Sequence, residues 1–135
     1  MKRLLKLFSW FLVAEAGAMV LNEPTIGKCS QFTIEPNATI NRDATGCYCA
    51  CRWNYRELAK QLGCKIREGP KLLRQCIVEV TNVGTGKIVI CTPADWGPAW
   101  RLKRRIIDLS PIAMTRINAE TDKTDVRVTL LLEPK

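Results

Sequence analysis

Two β-branched runs around a glycine turn, between residues 76 and 92, limit the folds open to this chain more than any other feature. Cys76-Ile-Val-Glu-Val-Thr81 alternates in part, Lys87-Ile-Val-Ile-Cys-Thr92 returns, and Asn82-Val-Gly-Thr-Gly-Lys87 joins them. The pattern predicts a β-hairpin. Asp125-Val-Arg-Val-Thr-Leu-Leu-Leu132 alternates and then turns wholly apolar, as a buried final strand does. Gly27-Lys-Cys-Ser-Gln-Phe-Thr-Ile34 reads as an earlier strand. The expected core lining is Val78, Val80, Ile88, Ile90, Ile107, Val126, Val128 and Leu130. Many short strands with one or two small helices point to a mainly β chain closed as a small barrel.

The helix signals are local. Asn54-Tyr-Arg-Glu57 is a capping-box-like start, and the helix it opens runs through Leu58, Ala59 and Leu62 to a stop at Gly63. Ser110-Pro111 opens a second helix, with serine as N-cap and proline in the first turn. Residues 64–75 are basic, broken by Gly69-Pro70, and read as irregular. Glu35 to Thr45 reads as a polar loop, and so does Pro93-Ala-Asp-Trp-Gly-Pro98.

Residues 1–24 read as an N-terminal apolar helical segment and linker ahead of a domain over 25–135. Lys2, Arg3 and Lys6 precede a short apolar run, and Ala14-Glu-Ala16-Gly-Ala18 offers a small-residue cleavage pattern. That describes a secretory signal. The same residues place Leu4, Leu7, Phe8 and Phe11 on one helical stripe, so a retained helix that anchors the chain through residues 1–21 to neighbouring subunits fits equally. The run is too short for a membrane span.

The charge and cysteine content narrow the function. Twenty-one Lys+Arg against 13 Asp+Glu give +8, which favours anionic partners. The sequence holds no recognised nucleic-acid reader motif, so nucleic acid is not the expected partner. The absence of histidine removes His-based triads and HExxH zinc sites. Seven cysteines fall at Cys29, Cys47, Cys49, Cys51, Cys64, Cys76 and Cys91. Such usage suits an oxidising compartment or a particle surface rather than a reducing cytosol, if disulfides form. Cys47-Tyr-Cys49-Ala-Cys51 would put three sulfurs on one face of a strand. That geometry allows disulfides to the other four cysteines, a soft-metal site, or buried free thiols. Disulfides are the expectation, with one thiol left over from the odd number; no metal or cofactor is expected.

The stretch from Val78-Glu-Val-Thr-Asn82 through Gly86-Lys87, Pro93-Ala-Asp-Trp-Gly-Pro98 and Arg105-Ile-Ile-Asp-Leu-Ser110 to Val126-Arg-Val128 resembles the rare lipoprotein A family, kin to barwin and the expansins. The elements occur in the family's order over residues 76–132. The resemblance implies a six-stranded double-psi β-barrel and a role on peptidoglycan or another wall glycan. It implies a lytic transglycosylase in which Asp95 is the general acid/base. Three departures weigh on the catalysis: Trp96 stands where the family has arginine, Ala94 where it has asparagine, and the family's upstream histidine is missing.

A lytic transglycosylase can work with one carboxyl, because the sugar's own hydroxyl attacks; hydrolysis needs two. Asp108 is the nearest second carboxylate to Asp95. Trp96 and Trp100 would offer faces for sugar stacking, and Arg101, Lys103, Arg104 and Arg105 would hold anionic groups. Against these stand plainer roles: Asp95 capping its own turn, Asp108 bonding backbone, the tryptophans buried in a core or interface. The functional expectation is thus a glycan-binding or glycan-cleaving domain of the cell envelope. The alternative is a non-catalytic structural module, for example a bacteriophage tail or baseplate component of a virion.

Overall fold

A computed structural model describes residues 18–133. The expected helix over the first residues, signal or anchor, lies outside the described residues. Seven strands are present: β1 (Met19–Val20), β2 (Thr25–Gln31), β3 (Tyr48–Cys51), β4 (Cys76–Asn82), β5 (Ile88–Trp96), β6 (Arg105–Leu109) and β7 (Asp125–Leu132). Among the described residues, three short helices join them: α1 (Tyr55–Leu62), α2 (Gly69–Leu73) and α3 (Pro111–Arg116).

The sheet runs β1-β7-β2-β6-β3-β5-β4, and β4 also pairs with β7, which closes β2 to β7 into a six-stranded barrel. The β4–β5 and β4–β7 pairings are antiparallel. Two pairings are parallel, β2 with β6 and β3 with β5. β6 sits between β2 and β3, while β3 sits between β5 and β6. The connection from β2 to β3 therefore straddles β6, and the connection from β5 to β6 straddles β3. These two interlocked crossings are the psi loops of a double-psi barrel.

The barrel interior is filled from alternate positions of each strand. Val78, Val80, Val89, Cys91, Ile107, Val126, Val128 and Leu130 belong to one buried cluster. Two of the expected core residues do not: Ile88 is 56% exposed and Ile90 is 46% exposed. Residues 88–91 are apolar at every position, so their own pattern carries no parity. The pairing supplies it, since Val80 sits opposite Val89 and Val78 opposite Cys91, and cross-strand partners share a face. A one-residue change of register flips every side chain, so β5 turns Val89 and Cys91 inward and both isoleucines out.

Other boundaries differ from the sequence reading. β5 continues through Pro93 to Trp96, where a loop was expected, because β3 supplies a parallel partner to that stretch. Residues 64–75 contain a 3-10 turn and α2; Pro70 occupies the first turn of that helix, which needs no N–H from it. The segment before β2 is tied to the barrel. Met19 and Val20 pair with Leu132 and Leu131, and Asn22 Oδ1 accepts from Leu130 N at 2.7 Å. The two caps are as read. Asn54 accepts from Glu57 N at 3.1 Å, Gly63 adopts the left-handed C-cap conformation, and the Ser110 side chain caps α3.

All seven cysteines are free thiols, and the expected disulfides are absent. Cys29, Cys49, Cys51, Cys76 and Cys91 are buried in the barrel core, where they serve as small apolar side chains. Cys29 Sγ lies 3.8 Å from Met114 Sδ, and Cys76 Sγ lies 3.5 Å from the Leu72 carbonyl. Burial pushes both of these thiols up to about 11. Burial also raises Cys49, which sits against Cys51 and Cys91. Among the described residues, no group of three or more Cys, Asp or Glu side chains is arranged to hold a metal ion.

Candidate functional site

The site is built on one transverse row. Ser30 on β2 pairs with Asp108 on β6, Asp108 pairs with Ala50 on β3, and Ala50 pairs with Asp95 on β5. Register partners share a face, and the flanking Cys49, Cys51 and Ile107 face the core, so this row lies on the outside of the barrel. Asp95 and Asp108 stand on either side of the Ala50 methyl, with their Cα atoms about 10 Å apart, or two strand spacings. The β5–β6 connection folds back over the row. A Cβ at Gly97 would lie 3.2 Å from Asp108 Oδ2 and 3.9 Å from the Ala50 Cβ, so glycine lets the backbone approach this closely. The Gly97–Pro98 peptide is cis.

The two carboxylates have different surroundings. Asp95 Oδ1 accepts from Trp96 N at 2.8 Å, Thr39 Oγ1 at 3.1 Å and Thr39 N at 3.2 Å. It therefore fastens the 35–46 loop to β5 and caps its own neighbour. The same loop is held by Ile40 N and Asn41 N, which both donate to the Ala94 carbonyl. Tyr55 is hydrogen-bonded to Thr39, and burial raises its phenol against the effect of that bond. Asp108 accepts the Ser30 hydroxyl, a side-chain partner rather than the backbone one expected. Burial pushes the Asp108 carboxyl above its ordinary value, while Ser30, Arg105 and Arg52 act in the opposite direction.

Trp96 and Trp100 form a tilted pair with ring centroids 5.5 Å apart. Trp96 is half-buried, and its indole N–H donates to the Trp53 carbonyl at 3.2 Å. Trp53 answers with its own N–H to the Asp95 carbonyl at 2.8 Å. Trp100 is 69% exposed and stands clear of the core.

Arg52, which the sequence reading missed, organises the whole connection. Its Nε donates to the Pro98 carbonyl at 2.9 Å, its Nη1 to Arg105 at 2.9 Å, and its Nη2 to Ala99 and Leu102, each at 2.8 Å. Its guanidinium also lies 5.2 Å from the Trp100 ring centroid. A single planar fork thus gathers four carbonyls of the loop and backs the exposed indole. No local signal reveals this, because every acceptor lies about fifty positions further along the chain.

A cleft of about 350 Å³ opens at the N-terminal end of β6, lined by Lys28 and the 101–105 run, with Asp122 as its one acid. It is not at Asp95. Arg105 holds Asp122 through two bonds of 2.6 and 2.7 Å, which keeps the Asp122 carboxyl below its ordinary value. Lys28 pairs with Asp125 at 2.9 Å. Arg101, Lys103 and Arg104 are exposed, and their side chains make no hydrogen bond or ion pair with the described residues. The structure thus brings Asp95, Asp108, Trp96 and Trp100 together around one connection, sets Arg101, Arg104 and Arg105 on its basic side, and leaves the cysteines to the core or to other surfaces.

No protein-family model matches the chain, and no curated protein does. Among solved structures it is similar to the rationally designed mkDPBB_sym2 protein. That match has a TM-score of 0.44 and 15% sequence identity, and covers 78% of this chain and 96% of that one.

Proposed function

We propose that this chain is a cell-envelope domain that binds peptidoglycan or another anionic wall glycan. The observation that supports the reading is Trp100: an indole 69% exposed, oriented by Arg52 and Trp96, and next in the chain to the run that lines a basic cleft. An aromatic face held out in solvent by the protein's own contacts is prepared before a sugar ring arrives, and preorganisation lowers the cost of binding. The sequence resemblance to wall-acting barrels agrees with this use.

Glycan cleavage is the second reading, favoured by one observation. Asp108 carries a carboxyl raised by burial and faces Asp95 across Ala50. In this reading Asp108 holds the proton, and Asp95, whose Oδ1 accepts three hydrogen bonds, keeps its loop in place, in contrast to the role the resemblance gives Asp95.

Co-sedimentation with purified sacculi tests binding, and mass spectrometry of the supernatant tests cleavage. Wild type should pellet, and Trp100→Ala should lose about tenfold in affinity. Anhydro-muropeptides from wild type but not from Asp108→Asn would establish cleavage through that carboxyl. A folded protein that neither pellets nor releases fragments would sink both readings and leave the structural module of a larger particle.

A further inference from the structure

We infer that the cleft at the N-terminal end of β6 is a phosphate-ester site, which takes the phosphodiester groups carried by a wall polymer. The inference rests on the glycan reading above and deepens it. It starts from charge and occupancy. Five cations and one carboxylate line the cleft, and the carboxylate is already spent on Arg105. Lys28 is likewise committed, to Asp125 and to the Lys123 carbonyl. Arg101, Lys103 and Arg104 remain, three cations within four positions whose side chains make no hydrogen bond or ion pair with the described residues, although Arg104 helps Arg105 to lower the Asp122 carboxyl.

Those three set the ligand class. A carboxylate carries one charge, as a phosphodiester does, but it presents only two oxygens in one plane. A tetrahedral phosphate ester offers several acceptor oxygens to forked and point-charge donors at once, and a polymer repeats the group. The cleft's volume of about 350 Å³ is that of a small-molecule site, sufficient for a sugar or polyol bearing one phosphate. The committed pairs give the site its shape. Arg105–Asp122 and Lys28–Asp125 fix the walls, and Arg52 holds the Arg105 and Leu102 carbonyls so that the chain between them is presented in one form.

The test uses full-length protein and three probes at one fixed ionic strength: sacculi with their phosphodiester polymers, the same sacculi stripped with hydrofluoric acid, and a 20-base-pair DNA duplex. Wild type should bind the phosphodiester-bearing sacculi about tenfold more tightly than the stripped ones. The Lys103→Ala/Arg104→Ala variant should lose that difference, with a clearly smaller loss on stripped sacculi. Both changes are at exposed positions, and circular dichroism checks the fold. Equal binding to the two sacculus preparations, or an equal loss on both in the variant, would overturn the phosphate site. Binding to DNA as tight as to the phosphodiester-bearing sacculi would overturn the wall polymer as the source of the phosphate, because any phosphodiester chain would then suffice. Failure of the glycan reading itself looks different: wild type would not pellet with stripped sacculi at all, and Trp100→Ala would change nothing.

Discussion

Replacing Arg52 with alanine removes four hydrogen bonds at once, to the carbonyls of Pro98, Ala99, Leu102 and Arg105. A hydrogen bond to a charged group contributes roughly 1.5–3 kcal/mol, and a neutral one roughly 1. The connection lies at the surface, so water can reach some of the released carbonyls and the full sum is not lost. Taking somewhat under 1 kcal/mol for each bond gives a cost of about 3 kcal/mol. With a urea slope of about 2 kcal/mol per molar, the unfolding midpoint should fall by about 1.5 M. Arg52→Lys should recover less than half of this, because an ammonium is a point charge with three donors and cannot span carbonyls arranged around a planar fork. Urea titration followed by far-UV circular dichroism measures the midpoint, and the emission difference between the protein and its Trp100→Phe variant, followed in parallel, reports on Trp100, whose ring faces the guanidinium. A midpoint shift below about 0.3 M for Arg52→Ala, or full recovery by lysine, would refute the claim that this side chain holds the psi loop.

Three other outcomes check separate parts of the structure. Val89→Ala should cost about 2 kcal/mol by opening a core cavity, whereas Ile90→Ala should stay within about 0.5 kcal/mol; reversed values in urea titration would put the wrong face of β5 in the core. Iodoacetamide followed by intact mass should find Cys47 and Cys64 modified in the native protein and all seven cysteines modified in denaturant, since the remaining five thiols are buried; rapid native modification of more than two would contradict the packing. Asp108 has a folded-state carboxyl raised above the ordinary 3.8, so the native state holds more protons than the unfolded one from that value up through the raised one. Stability should therefore fall as pH rises through this window, and Asp108→Asn should lack that component of the slope; identical slopes from pH 4 to 7 would disprove the burial effect.

The features legible in the sequence are those whose causes are local. Asn54 reaches Glu57 three positions on, and the Ser110 side chain accepts from Ala113 N, so a window of a few residues contains each cap and its partner. The β4–β5 turn and the alternation of β7 are similarly self-contained. Pro93 reads as a strand breaker in its own window; only a parallel partner from more than forty positions earlier makes it part of a strand. Asp95 and Asp108 can both be picked out as candidate carboxylates. That they flank Ala50, and that Ser30 and Gly97 close around Asp108, follows from pairings no local window contains.

The cysteines show how one pattern can carry two readings. A C-x-C-x-C run puts sulfurs on one face of a strand, and that holds whether the sulfurs await partners or fill an interior. In a wall strand of a small barrel the same spacing is the inward period. Cys49 lies opposite Leu109, and Cys51 opposite Ile107, both wholly buried. A small side chain is what a crowded interior accepts beside isoleucine, leucine and valine, and a thiol meets that need without an unpaired polar group. Compartment arguments then act on the wrong property of these residues. Burial that lifts Cys29 and Cys76 to about 11 removes thiolate at neutral pH, and with it the nucleophile that disulfide exchange requires. Cys47 and Cys64 are the two half-buried thiols, so oxidative chemistry on the folded chain should begin there rather than in the barrel.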